Sequence, residues 1–263
     1  MSSGSYKINK YKNNFLTGVI LKIDYPSISN LETTDQLDEF HKKIKKIALN
    51  KKEIPRILME GQVNNDDFQM SKKESRITWE FSNKDESKKI AIDKEFISVV
   101  YTKYKNFDNY FKEIKTIIDA FNQSFPFSTA KRIGLRYVNI ITIKTGNPFE
   151  WDNLINKDLL SVFSNFVDEK VGLLKNMQYL DFKTSEYQMI FWSGLYNSEY
   201  PNPISRKEFV LDYDCFIMNE IPFSEFYPKI ELFNITINKW FEHSIENNLR
   251  RIMEEVDDEK TKE

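Results

Sequence analysis

The segment KRIGLRYVNI, residues 131–140, lies at the middle of the chain and alternates along its length between two kinds of position. On a β-strand, successive side chains point to opposite faces of the sheet. One face is mainly apolar and holds Ile133, Leu135, Tyr137, Asn139 and Ile141. The other face holds Arg132, Gly134 and Arg136, followed by Val138 and Ile140. We expect the apolar face to pack against helices and the two arginines to project from the opposite, open face.

The elements predicted on either side of this strand follow one order twice. Residues 16–26 form a strand, residues 31–49 a helix, residues 55–104 several strands, and residues 107–125 an amphipathic helix. After the central strand, residues 147–166 are predicted to be helical in two pieces, and three strands follow. Residues 230–255 are predicted to form one last long helix.

This order predicts an α+β fold made of duplicated β-α-βββ(β)-α units. The two halves are 11–127 and 128–255, within one continuous domain, and the charged tail 256–263 is expected to be disordered. Merging the strands of both halves would give one curved antiparallel sheet with helices on one face, the architecture of the TATA-binding-protein-like fold. An undivided α+β domain with one mixed sheet is the alternative.

The composition disfavours several classes of protein. The 263 residues carry a net charge of −2, whereas general nucleic-acid binders usually present a strongly basic face. One cysteine allows neither an intrachain disulfide nor a cysteine-based zinc site. With 7 glycines and no glycine-rich phosphate loop, no cofactor is predicted. No leader-like segment and no apolar stretch of membrane length is found, so we expect a cytoplasmic protein without a membrane partner.

The histidine and cysteine side chains give little sign of catalysis. His41 and His243 lie on separate predicted amphipathic helices without a metal-binding spacing, so both are expected to be ordinary helix residues between the apolar and the polar face. Cys215 shares a strand face with apolar residues, so it is expected to be a buried thiol and not a nucleophile.

Two aspartates on a later strand complement the central arginines. Asp212 and Asp214 are two residues apart in FVLDYDCFI, which places both on one strand face. They are interpreted as a metal-binding or acid–base pair, or as a solvated or charge-matched strand surface, and the second interpretation is favoured. Arg132 and Arg136 either bind an anionic or planar partner or pair with Asp212, Asp214 or Glu208. We expect pairing for at least one arginine, while Gly134 leaves the backbone between them open to approach.

Aromatic side chains are expected beside these charges. We expect the exposed aromatics Tyr104, Tyr179, Phe191 and Tyr196 to flank the arginine-bearing face. Tyrosine and arginine together are common in protein interfaces, and they are also common in ordinary sheet packing.

Five motifs along the chain carry a resemblance to a known family. They are NNFLTGVILKIDYP from residue 13, WEFSNKD from 79, RIGLRYVNIITI from 132, FVLDYDCF from 209 and FNITINKWFEHSIENNLRRIM from 233. In this order the chain resembles an uncharacterised, sporadically distributed bacterial family. The resemblance extends over about residues 11–253, and its RIGLRYVN run is the most specific part. Asn234 stands where the family leads one to expect a histidine, so a role for that histidine would not be shared.

The resemblance implies no reaction and no cofactor, but a patchy distribution is typical of accessory genes such as defence or toxin–antitoxin genes. The leading hypothesis is a non-catalytic binding or regulatory module that holds another protein at Arg132, Gly134, Arg136, Asp212 and Asp214. The first alternative is a nucleic-acid- or nucleotide-binding protein that uses the same arginines. The second is a metal-dependent enzyme with the aspartate pair as ligands. The sequence leaves homo-oligomerisation open.

Overall fold

The computed structural model describes residues 10–29, 31, 34–64, 67–161 and 172–254, and for residues 34, 57–64 and 67–75 the backbone alone. The strands are β1 (Leu16–Asp24), β2 (Asn50–Asn64), β3 (Asp67–Ser82), β4 (Lys88–Asp93), β5 (Phe96–Tyr101), β6 (Thr129–Ala130), β7 (Arg132–Ile143), β8 (Asn176–Lys183), β9 (Gln188–Leu195), β10 (Lys207–Ile217) and β11 (Ile221–Pro222). The helices are α1 (Thr34–Ile44), α2 (Phe107–Ser124), α3 (Phe226–Ser244) and α4 (Asn247–Met253).

Nine strands form one large antiparallel sheet in the order β2-β3-β4-β5-β1-β7-β10-β9-β8. The two short strands β6 and β11 pair separately. The predicted α+β class and the antiparallel sheet are therefore confirmed. The curvature of the sheet, the duplication and the likeness to the TATA-binding-protein-like architecture stay predictions. Among the described residues, no helix combines the length and the apolar character needed to cross a lipid bilayer.

The chain divides into two compact units. The first unit consists of the described residues within 1–19, 134–217 and 228–263, and the second unit of those within 20–133 and 218–227. The division falls within β1 and within β7, so each of these strands contributes to both units. The predicted halves, 11–127 and 128–255, stay a prediction. The predicted tail 256–263 lies entirely outside the described residues.

The second unit has an aromatic core between its helices and its strands. Phe40 of α1 contacts Phe81 of β3, with ring centroids 5.2 Å apart. Phe121 of α2 contacts Phe40 at 5.9 Å and Tyr25, the residue after β1, at 5.4 Å. Rings of this size bury large apolar areas, so they supply much of the hydrophobic stabilisation of the unit.

The first unit packs α3 against β7, β10 and β9. The hydroxyl of Tyr137 donates a hydrogen bond to Oδ1 of Asn234 on α3 at 2.8 Å. The hydroxyl of Tyr213 on β10 donates to Ser244 Oγ at 2.8 Å, and the Tyr213 ring stacks on Phe191 of β9 at 4.8 Å. The predicted apolar face of β7 is thus confirmed as the face toward the helix, with its members at positions 133, 135, 137, 139 and 141 all buried.

Two helix predictions need correction. The described part of 147–166 holds turns and a short 3₁₀ helix, Lys157–Leu159, before one helical residue at Ser161, and residues 162–166 lie outside the described residues. Asn153 has φ 63°, a left-handed conformation that interrupts an α-helix. The last helix is broken because Ile245 forms a β-bridge with Ile155 and Glu246 is extended, so α3 ends at Ser244 and α4 begins at Asn247.

Candidate functional site

An ion pair joins β7 to its neighbour β10 in the first unit. Nε of Arg136 donates a hydrogen bond to Oδ1 of Asp212 at 2.8 Å, and Nη2 donates to Oδ2 at 2.5 Å. Two parallel bonds of this kind are the strongest arrangement that a guanidinium and a carboxylate can form. The prediction that at least one arginine pairs with the acidic strand is confirmed.

The two partners differ in their exposure to solvent. The Asp212 side chain is 9% exposed, whereas the Arg136 side chain is 44% exposed. The hydrogen bonds to Asp212 raise the pKa of Arg136 above its ordinary value, burial acts in the opposite direction, and the charges of Asp212 and Asp214 add to the increase. The guanidinium is therefore a permanent cation whose charge is matched by acids on the neighbouring strand.

The remaining predicted site residues lie in different surroundings. Asp214 is half-buried, two residues beyond Asp212 on the same face of β10. Gly134 is buried, and Arg132 is half-buried and belongs to the second unit. The structure thus brings Arg136 together with Asp212 and Asp214.

Glu208, the third acid predicted as a possible partner, has a different neighbour. Its carboxylate accepts hydrogen bonds from the backbone N–H of Ser198 at 3.1 Å and from the Ser198 hydroxyl at 3.0 Å.

The strand register extends the ion pair into a row of four side chains. Asp212 on β10 is paired with Trp192 on β9, and Trp192 is paired with Tyr179 on β8. Directly paired residues on neighbouring strands point to the same side of a sheet. We call Arg136, Asp212, Trp192 and Tyr179 the cross-strand row. It lies on the open face of the first unit, opposite α3, because the chain neighbours Tyr213 and Phe191 face the helix.

The aromatic end of the cross-strand row is open to solvent. The rings of Trp192 and Tyr179 meet edge to face with their centroids 4.6 Å apart. Trp192 is 38% exposed and Tyr179 is 47% exposed. Each ring restricts the other, so the pair presents a defined apolar surface beside the ion pair.

The predicted aromatic flank is confirmed only for Tyr179 as an exposed residue of this face. Phe191 is buried and stacks on Tyr213, so its place on the open face is a wrong prediction. Tyr104 is half-buried in the second unit and contacts Tyr110. Tyr196 is half-buried beyond the end of β9. Trp192 was missed because FW places two aromatics on opposite faces, and only the register with β10 shows which of them is exposed.

The interpretation of the aspartates as metal ligands is weakened by the geometry. Both carboxylate oxygens of Asp212 accept hydrogen bonds from Arg136. In the described part of the chain, no group of three or more histidine, cysteine or acidic side chains is arranged to hold a metal ion. His41 Nε2 lies 3.2 Å from the Ala48 carbonyl oxygen, and His243 Nδ1 lies 3.3 Å from that of Lys239.

Cys215 is expected to be chemically inert in the folded protein. Its side chain is fully buried, and burial together with the charge of Asp214 raises the pKa of the thiol well above its ordinary value. Because the thiolate is the reactive form, we expect very slow reaction with a thiol reagent such as DTNB under native conditions and rapid reaction after unfolding. A rapid native reaction, followed by absorbance, would contradict this burial.

No protein-family model matches this chain, and a search among curated proteins finds no match either. The resemblance to a sporadically distributed bacterial family therefore stays a prediction, and the functional argument depends on the geometry of the cross-strand row.

Proposed function

We propose that this protein is a non-catalytic binding module, with a regulatory role, that holds another protein on the open face of its first unit. The observation that carries the proposal is the exposed Trp192–Tyr179 pair beside the ion pair of Arg136 and Asp212. Tryptophan, tyrosine and arginine are the residue types that most often dominate the binding energy of protein interfaces.

The electrostatics of the row favour a protein over a nucleic acid. Arg136 is matched by Asp212, and Asp214 adds a second negative charge nearby. The cross-strand row therefore offers no excess of positive charge to a nucleic acid. Attraction between positive side chains and the phosphate backbone is the main source of nucleic-acid affinity. A protein partner instead gains from covering two ordered aromatic rings and a preformed polar pair.

The proposal predicts a selective loss of binding. We expect Trp192→Ala to lower the affinity for the partner by about tenfold or more, since truncating a central interface aromatic costs ~1–4 kcal/mol. The measurement is quantitative capture by the tagged full chain from a lysate of the source organism, followed by titration of the purified partner. Thermal unfolding of the variant is recorded in parallel.

Tyr200→Ala is the matched control, because Tyr200 is also exposed but lies outside the cross-strand row. A partner retained equally by the wild type, Trp192→Ala and Tyr200→Ala would contradict the proposal. Nucleic acid recovered in place of protein, with an affinity that falls steeply as salt is raised, would instead support the first alternative.

A further inference from the structure

β8 is a terminal strand of the large sheet. Among the described residues its backbone pairs only with β9, through the register Asn176↔Leu195 to Lys183↔Gln188. The backbone N–H of Thr184 donates to the carbonyl of Tyr187 at 2.9 Å, which closes the hairpin with a hydrogen-bonded pair. In an antiparallel ladder such pairs alternate with non-hydrogen-bonded pairs. The even-numbered residues of β8 therefore direct their backbone groups toward β9, and Met177, Tyr179, Asp181 and Lys183 direct theirs outward.

The outer edge of β8 lacks most of the features that prevent strands from pairing between molecules. Natural edge strands are commonly protected by proline, by several charges or by a bulge. The other terminal strand, β2, contains Pro55 together with Lys51, Lys52 and Arg56. β8 has eight residues without a proline, and Leu180 on its helix side is 40% exposed. Phe182 and Tyr179 are also exposed, so this edge combines open backbone groups with apolar side chains.

We propose that β8 pairs antiparallel with β8 of a second copy of this chain, across a two-fold axis. The outward backbone groups belong to odd-numbered residues, so odd positions must face odd positions. The two registers with the largest overlap, seven of the eight residues of β8, place either Tyr179 or Leu180 on the axis. The register centred on Tyr179 would bring Lys183 opposite Lys175 of the second copy, and like charges in that position are destabilising.

The register centred on Leu180 has better complementarity. Leu180 faces Leu180 of the second copy on the helix side. On the open side Asp181 faces Tyr179 and Lys183 faces Met177, and each contact occurs twice because a two-fold interface repeats every pair. No charged residue of β8 then faces a like charge directly. The outer edge of β8 is accordingly assigned to a second copy of this chain. This self-association is separate from the proposed binding of another protein.

The first test is the oligomeric state of the full chain. We expect the wild type to show a concentration-dependent increase from monomer to dimer mass in light scattering coupled to size-exclusion chromatography. Leu180→Lys is expected to be monomeric at the same concentrations, because two lysines would meet at the axis. Leu174→Lys is the matched control, since Leu174 is 42% exposed but lies outside β8, and this variant should dimerise like the wild type.

The second test is specific for the register. Leu180 faces its own copy as a non-hydrogen-bonded pair, where the Cα atoms of paired strands are about 4.5 Å apart, within the range that a disulfide spans. Diamide should therefore oxidise the Leu180→Cys variant to a disulfide-linked dimer. The thiols at position 180 of the two copies lose two protons and two electrons to diamide, which is reduced to its hydrazine. Leu174→Cys should remain uncrosslinked, and Cys215 is buried and does not compete.

Three results would overturn the proposal. The first is a wild type that stays monomeric, together with a Leu180→Cys variant that does not crosslink. The second is a dimer that persists in Leu180→Lys, and the third is a monomeric wild type that captures a foreign protein which Leu180→Lys no longer captures. The last result would assign the edge to a strand of another protein. Trp192→Ala keeps this test separate from the proposed function, because that variant should lose the partner while it still dimerises.

Discussion

Gly194→Ala is expected to destabilise the first unit strongly. Gly194 has φ 153°, and a Cβ built on it would lie 2.1 Å from the backbone carbonyl oxygen of Asn176. We expect the free energy of unfolding to fall by about 2–4 kcal/mol, since a glycine-only backbone conformation and an overpacked contact each cost ~1–3 kcal/mol. Chemical denaturation followed by tryptophan fluorescence measures this change.

The obstructing atom belongs to the backbone, so a side-chain rotation cannot relieve the contact. Relief requires β8 to move away from β9, which would also separate Tyr179 from Trp192. Gly172→Ala is the matched control, because a Cβ at Gly172 would meet no heavy atom of the described residues within 4 Å. Equal stability of the two variants would show that β8 does not approach β9 as closely as the structure indicates.

The fold was predictable where the local pattern and the tertiary packing agree. One face of β7 is mainly apolar and is buried from Ile133 to Ile141, and Tyr137 on this face contacts α3 as expected. The end of α3 was not predictable, because the helical spacing of residues 230–255 continues through Ile245. That residue leaves the helix to bridge Ile155, which is distant in the chain. A contact with a remote segment overrides the local periodicity there, and no local pattern records it.

The candidate site was predictable for its charges and not for its aromatic half. The two-residue spacing of Asp212 and Asp214 and the position of Arg136 suffice to place opposite charges on one sheet face. Choosing between Phe191 and Trp192 requires the register of β9 against β10, because both residues are aromatic and adjacent. Cross-strand register depends on hairpin geometry and on the buried face as a whole, so it is not contained in either strand alone.

Removing Arg136 is expected to cost more stability than removing Asp212, although both changes delete the same ion pair. Arg136→Ala leaves the nearly buried Asp212 carboxylate without its two charge-assisted bonds, and we expect a loss of about 1–3 kcal/mol in the free energy of unfolding. Asp212→Ala leaves Arg136 half-exposed and able to turn into water, so its expected cost is about 1 kcal/mol or less. Chemical denaturation of both single variants and the double variant gives the coupling energy.

Lys103→Ala controls for ion pairs that lie at the surface, because Lys103 and its partner Asp85 are both exposed. We expect this variant to lose less stability than either Arg136→Ala or Asp212→Ala. The same Arg136→Ala protein also separates two roles of the arginine. If the role of Arg136 is structural, the variant should be less stable, and partner capture should fall only in proportion to the loss of folded protein. Capture that is lost at unchanged stability would show that Arg136 binds the partner directly. An Asp212→Ala variant less stable than Arg136→Ala would contradict the asymmetry, because it would mean that the carboxylate is the better solvated member of the pair.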